Sequence, residues 1–326
     1  MRAQKLFEIV DLGPSETCLI TDLSDIRWLT GFSGSHAWLV ARHQELFLLT
    51  DGRYVEQARA EIESHCAVVE VIECRTLAAM QKATETLTQG SATVQFQDSQ
   101  LTYQNFLALQ AELSSTLIPC DSSIKFLRRQ KDDIEIQLIG SACLIADHAL
   151  QQCVHLLSAG VTENDVRDEL EYAMRRLGAD GPSYDTIVAS GPTNSARPHH
   201  HPTGTKIENG HTVIIDVGAL VAGYHSDMTR SFVVGPMSSE QAEWYEAVRA
   251  AQQAGVEACR PGVQVSEIDA ACRRVLSQAG LEQYFTHGTG HGVGLVIHEE
   301  PFINSSGQAI LQPGDVVTVE PGLYRG

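Results

Sequence analysis

The stretch TVIIDVGALVAGYHSDMTRSFVV, residues 212–234, decides how this chain reads. Asp216 closes the apolar run TVIID, and Asp227 lies in YHSDMTRSFVV, whose polar and apolar residues alternate like a strand with one buried face. The segment between them carries Gly218 and Gly223 and is short enough for a hairpin. With the turn centred on Val221 and Ala222, Asp216 and Asp227 would stand directly opposite each other on one face, their Cβ atoms ~5 Å apart. Valine and alanine are poor turn residues, so the register is open to slip. Two carboxylates held together beside apolar residues repel each other and resist losing water. A divalent cation removes the conflict.

Two later residues complete a ligand set. His291 sits in THGTGHGVGL, residues 286–295, where four glycines flank two histidines and allow close backbone approach around an imidazole. Glu320 ends the strand pattern of GDVVTVEPG, with Pro321 turning the chain out of the sheet. A lone aspartate in a hairpin is ordinarily solvated or capping, and Gly-His-Gly by itself says little. Taken together, three carboxylates and one imidazole form a hard, oxygen-rich set. Such a set suits manganese or another first-row divalent ion better than a structural zinc site does.

Four long, ordered motifs carry a resemblance. YDTIVASGPTNSARPHH (184–200), the 212–234 stretch, HGTGHGVGLVIHE (287–299) and GDVVTVEPGLY (314–324) resemble the Xaa-Pro peptidases, aminopeptidase P and prolidase, of the creatinase and methionine aminopeptidase superfamily. The resemblance implies a pita-bread, creatinase-like α+β catalytic domain holding two divalent metal ions, manganese first, with cobalt or zinc as alternatives. It implies that Asp216 binds one ion through both oxygens, Asp227 bridges the pair, and His291 and Glu320 hold the second. A hydroxide between the ions would attack the scissile carbonyl. His199 and His298 match two family histidines that act on the substrate near the scissile bond, and Glu320 joins them as a catalytic residue. His200 and His201 gain nothing from the match and read as loop residues.

In the family the chain continues to a further strand with an arginine and a fifth, bridging glutamate ligand. No Glu follows Glu320 here. The reading therefore expects a C-terminally truncated product, weaker binding of a second metal and impaired activity.

The first part of the chain alternates strand-like segments (ETCLITD, HAWLVARHQELFLLTD, CAVVEVIE, SATVQFQ, STLIPCD) with helical ones (RYVEQARAEI, TLAAMQKATETL, YQNFLALQAEL), which predicts an α/β domain over residues 1–125. IRWLTGFSGSHAWLV and LLTDGRYVEQA resemble the N-terminal domain of aminopeptidase P and prolidase, which methionine aminopeptidases lack. In the family that domain supports a homodimer. Residues 126–326 form the expected catalytic domain, lacking its final strand. FLRRQKDDIEIQLI reads as a charged linker feeding a long helix over 132–157, followed by a helix capped by Thr162, with Asp165 at its third position and Gly178 just past its end.

Composition bounds the function. The 326 residues hold 41 acidic and 23 basic side chains, a formal charge of −18, which makes nucleic acid and anionic membrane surfaces poor partners. The eight cysteines show no CxxC pair and read as reduced residues of a cytoplasmic protein. No signal-peptide core or bilayer-length apolar run is present in the sequence. The expected partners are small peptides with proline in the second position. Two alternatives stay open, a non-catalytic peptide-binding protein on the same fold and a creatinase-like amidinohydrolase.

Overall fold

The structure is a computed structural model describing residues 2–325 except Asp11, Pro14, Cys66 and Asp121. One of the eight cysteines, Cys66, thus lies outside the described residues. The chain divides into two compact units, Met1–Arg128 and Arg129–Gly326.

The first unit runs α1 (Arg2–Val10), β1 (Glu16–Ile20), α2 (Leu23–Thr30), β2 (Ala37–Arg42), β3 (Glu45–Thr50), α3 (Val55–Ser64), β4 (Glu70–Glu73), α4 (Leu77–Leu87), β5 (Thr93–Phe96), α5 (Tyr103–Glu112) and β6 (Thr116–Pro119), with α6 (Ser122–Arg129) at the junction. Its strands form one mixed sheet in the order β4-β3-β2-β1-β5-β6. The apolar segment 36–51 is two strands, because the chain reverses at His43 and Gln44, both at positive φ (49° and 66°), and Arg42 pairs with Glu45. Leu19, Trp38, Val40 and Leu49 from the sheet bury against Met80 and Leu109 from α4 and α5. Helices covering a largely β-branched and leucine-rich sheet face are what the alternation of elements predicts.

The second unit begins with α7 (Asp133–Cys153) and α8 (Glu163–Arg176). Asp132 and Thr162 each cap their helix in a capping box, the latter reciprocated by Asp165. The two helices cover a sheet built from β8 (Ile187–Ser190), β9 (Thr212–Val217) and β12 (Met228–Val233); β7 (Gly181–Pro182), a short helix α9 (Gly191–Asn194), β10 (Ala219–Val221) and β11 (Tyr224–His225) fall between them in the chain. Their shared core holds Ala142, Ala146, Val166, Leu170, Val188, Val213 and Ile215. A second half follows: α10 (Ser239–Ala258), α11 (Val265–Gln278) and the paired strands β13 (Gly290–Gly292) and β14 (Glu299–Ile303).

Three details depart from the sequence reading. The hairpin turn sits on Ala222 and Gly223, both at positive φ (48° and 80°), not on Val221 and Ala222. Val221 therefore pairs Tyr224, and further down the ladder Asp216 faces Thr229 instead of Asp227. Glycine takes the left-handed conformation at little cost, which is why the turn moves to include it. Because Asp227 precedes Thr229 by two residues, it shares Asp216's face as a diagonal neighbour.

The Glu320 segment is extended rather than a regular strand. It lies along β13, with Thr318 N donating to His291 O (2.8 Å) and Glu320 N to Thr289 O (2.8 Å). The basic residues of the expected charged linker are buried in ion pairs. Arg128 meets Asp25 within the first unit (2.6 Å), while in the second Arg129 meets Asp315 (2.6 Å) and Lys131 meets Glu299.

Candidate metal centre

The sheet and the β13 region bring the acidic residues to one place. Ligand atoms of Asp227, His291 and Glu320 lie within 4.8 Å of one another. His291 Nε2 is 3.4 Å from Asp227 Oδ2 and 3.2 Å from Glu320 Oε1. Its other ring nitrogen, Nδ1, is 2.9 Å from the carbonyl of Gly292, an acceptor that requires the proton on Nδ1 and turns Nε2 toward the carboxylates.

Backbone crowding explains the glycines around it. A Cβ on Gly290 would stand 2.1 Å from Thr318 O, and one on Gly292 would stand 2.3 Å from Glu300 O. The glycines admit the neighbouring chain segments, which in turn deliver Glu320 and β14. The sequence reading placed this close approach around the imidazole; the structure places it at the flanking backbone.

Asp216 stands beside this trio and not in it. Tyr184 joins the two parts: its hydroxyl lies 2.5 Å from Asp216 Oδ1 and 3.0 Å from Asp227 Oδ1. Thr318 Oγ1 donates to Glu320 Oε1 at 2.7 Å. Neither Tyr184 nor Thr318 was assigned a role from sequence, although both lie in motifs that carried the resemblance. A phenol can reach two carboxylates only through tertiary geometry.

The electrostatics describe a site with too much negative charge for its degree of burial. Burial, followed by the neighbouring Asp227, pushes the Asp216 carboxyl up to about 7. Burial also drives the Tyr184 hydroxyl well above its ordinary value, and the two aspartates add to it. At His291 burial opposes the charged form but is overcome by the hydrogen bonds to Asp227 and Glu320, which push it up to about 10. His298, whose ring lies edge-on to His291 at 4.4 Å, is lowered by burial and then by the His291 charge, with His199 acting in the same direction. Both upward shifts mark clustered negative charge that a bound cation would satisfy. The donor set, hard oxygens with one imidazole nitrogen, fits a first-row divalent ion.

His199 and His298 both line the cavity that opens over these residues, about 1620 Å³ in volume, together with Trp244, His287, Phe302 and Tyr324. His199 is exposed to it; its neighbour His200 is buried and bonded to Glu163 at 2.9 Å. From sequence His200 reads as a loop residue, and the structure adds that it is interior. Its neighbours in the HHH run gave no signal that one of the three is interior.

A carboxylate and imidazole cluster lining a cavity, carried on strands flanked by two helix pairs, is an arrangement suited to metal-dependent hydrolysis. The chain belongs to metallopeptidase family M24, which it matches over residues 137–326, preceded by a creatinase/prolidase N-terminal domain over residues 2–130. It is 36% identical over 325 residues to the uncharacterized peptidase YqhT of Bacillus subtilis, covering 99% of this chain and 91% of that protein. To the Xaa-Pro dipeptidase of Pyrococcus furiosus it is 44% identical over 204 residues, 63% of this chain and 58% of that one. Its structure superimposes on that of the Xaa-Pro dipeptidase from Bacillus anthracis with a TM-score of 0.94 at 34% identity, covering 99% and 90% of the two chains. The architecture is accordingly an α/β N-terminal domain followed by the pita-bread catalytic fold. Among the described residues no helix is long and apolar enough to cross a membrane.

Proposed function

We propose that the chain is a metal-dependent exopeptidase that hydrolyses the Xaa-Pro bond at peptide N-termini, as an aminopeptidase or a dipeptidase. The observation that carries this reading is the convergence of Asp227, His291 and Glu320 within 4.8 Å, with Asp216 tied to the group through Tyr184, in a member of a metallopeptidase family. Asp216, Asp227, His291 and Glu320 would hold two divalent ions, manganese by the hardness of the donors. When bound, such ions polarise a carbonyl and make water more acidic at neutral pH.

The protein's own groups do the rest. Glu320 is assigned the proton transferred from water to the leaving amine; one of its oxygens accepts from Thr318, which fixes the carboxylate, and its side chain keeps partial access to the cavity. His199 and His298, which line the cavity, are assigned to the substrate near the scissile bond. Trp244, Phe302 and Tyr324, which line the same cavity, are aromatic surfaces available to the proline ring. Proline's tertiary amide lacks an N–H, so recognition rests on ring shape and carbonyl position rather than on strand-like pairing.

A cytoplasmic location is supported by free thiols at Cys18, Cys74, Cys120, Cys143, Cys153, Cys259 and Cys272, which suit a reducing compartment. A homodimer is inferred from the creatinase-type N-terminal domain. The test is cleavage of matched dipeptides and tripeptides, Xaa-Pro against Xaa-Ala, with and without added Mn²⁺. Release of the N-terminal residue only from the proline series and only with metal is expected. Indifference to proline refutes the substrate assignment.

A further inference from the structure

Glu163 occupies the first position of α8 and is fully buried, yet its side chain does not serve the helix, whose cap is Thr162. Its carboxylate faces the segment 190–205 instead. Oε1 accepts from Ser190 N (2.8 Å), Ser190 Oγ (2.9 Å) and Asn194 Nδ2 (2.9 Å). Oε2 accepts from His200 Nε2 (2.9 Å), Thr203 N (3.0 Å) and Thr203 Oγ1 (2.9 Å). The backbone adds two bonds alongside, Glu163 N to Thr205 O and Asn164 N to Thr203 O, both 3.1 Å. One buried carboxylate therefore fastens both ends and the middle of the segment that carries His199.

Only a carboxylate meets this demand. Each oxygen is met by three donors, among them the backbone N–H groups of Ser190 and Thr203, which cannot reverse direction. A glutamine would turn its NH₂ against one of them. Burial alone would raise the Glu163 carboxyl, but the hydrogen bonds from His200, Asn194, Ser190 and Thr203 overcome it and hold it below its ordinary value.

We infer that Glu163 is a positioning residue for the hydrolytic site: through His200 it clamps the 190–205 segment and so presents the adjacent His199 to the metal centre. The inference rests on the proposed role of His199 at the substrate. Clamping at the neighbouring residue restricts where an exposed histidine can point, and misplacement of such a group costs rate far more than binding.

The experiment is a double-mutant cycle in the full chain with Mn²⁺ and an Xaa-Pro peptide. Glu163→Gln is expected to lower kcat ~10–100-fold while leaving Mn²⁺ affinity within about 3-fold. In a His199→Ala background the same substitution should cost less than about 3-fold, because the group it positions is already gone. Equal losses in both backgrounds overturn the inference. His200→Gln, which keeps an N–H near the Nε2 position, should retain most activity where His200→Ala does not; equal loss in the two overturns it as well. Amide hydrogen exchange gives a readout independent of turnover. Faster exchange over 191–205 in Glu163→Gln, with the β9 and β12 amides unchanged, is expected, and unchanged exchange over 191–205 refutes the clamp. A wild-type chain that binds Mn²⁺ but cleaves nothing refutes the peptidase reading instead, and the clamp is then decided by exchange.

Discussion

Replacing Tyr184 with phenylalanine removes one oxygen atom and tests how the two aspartates are held. The hydroxyl lies 2.5 Å from Asp216 Oδ1 and 3.0 Å from Asp227 Oδ1, and its single proton serves one of them at a time, so one hydrogen bond to an acidic group is lost and no volume is opened. Bonds of this kind contribute about 1.5–3 kcal/mol each. Part of that value is present without metal, where the hydroxyl also eases the repulsion between the carboxylates, and this part cancels from the binding free energy. What remains is the orientation of the carboxylate that the hydroxyl holds. That is roughly half of one bond's worth, about 0.7–1.4 kcal/mol, or a ~3–10-fold loss of metal affinity. Isothermal titration of wild type and Tyr184→Phe with Mn²⁺ at one pH measures it. If the variant binds Mn²⁺ as tightly as wild type or more so, the hydroxyl competes with the cation instead of orienting its ligands, and the reasoning fails.

Three further outcomes follow from the structure. Lys131→Met removes the buried ammonium group paired with Glu299 and should cost about 3–5 kcal/mol in urea unfolding; a change below about 1 kcal/mol would show that the pair is matched by solvation. Ala222→Asn places a residue suited to positive φ at a turn now held at 48° and should raise stability by about 0.5–1 kcal/mol, whereas a loss would mean that the turn is not of the Asn-Gly type. Glu163 has a depressed folded pKa, so its contribution is fully present above the unfolded value of 4.5 and is lost as pH falls through the lower folded value. The stability gap between wild type and Glu163→Gln should therefore narrow on acidification below the ordinary glutamate range, and a gap independent of pH would contradict the hydrogen-bonded carboxylate.

Much of the architecture was legible because it is written in local patterns. A continuous apolar run marks β9, polar–apolar alternation marks β12, and Thr162 with Asp165 marks the start of α8. The aspartate pair was legible as a pair but not in register, since a one-residue shift of the turn onto Gly223 converts a facing pair into a diagonal one. Long-range pairing was invisible. Arg129 and Lys131 read only as part of a charged linker because their acidic partners, Asp315 and Glu299, lie 186 and 168 residues away. Glu163 was hidden for a different reason: an acidic residue in the first turn of a helix is explained by the helix dipole, and nothing local shows that it turns away toward His200.

The central claim is that Asp216, Asp227, His291 and Glu320 hold the divalent metal on which Xaa-Pro cleavage depends. It is tested most directly by measuring, on the same preparations, bound Mn²⁺ per chain and Xaa-Pro hydrolysis for wild type, Asp227→Asn and His291→Ala. Metal and activity lost together in both variants, with wild-type cleavage abolished by a chelator and restored by Mn²⁺, is the predicted result. Full metal occupancy in the variants, or wild-type cleavage that survives chelation, would contradict it.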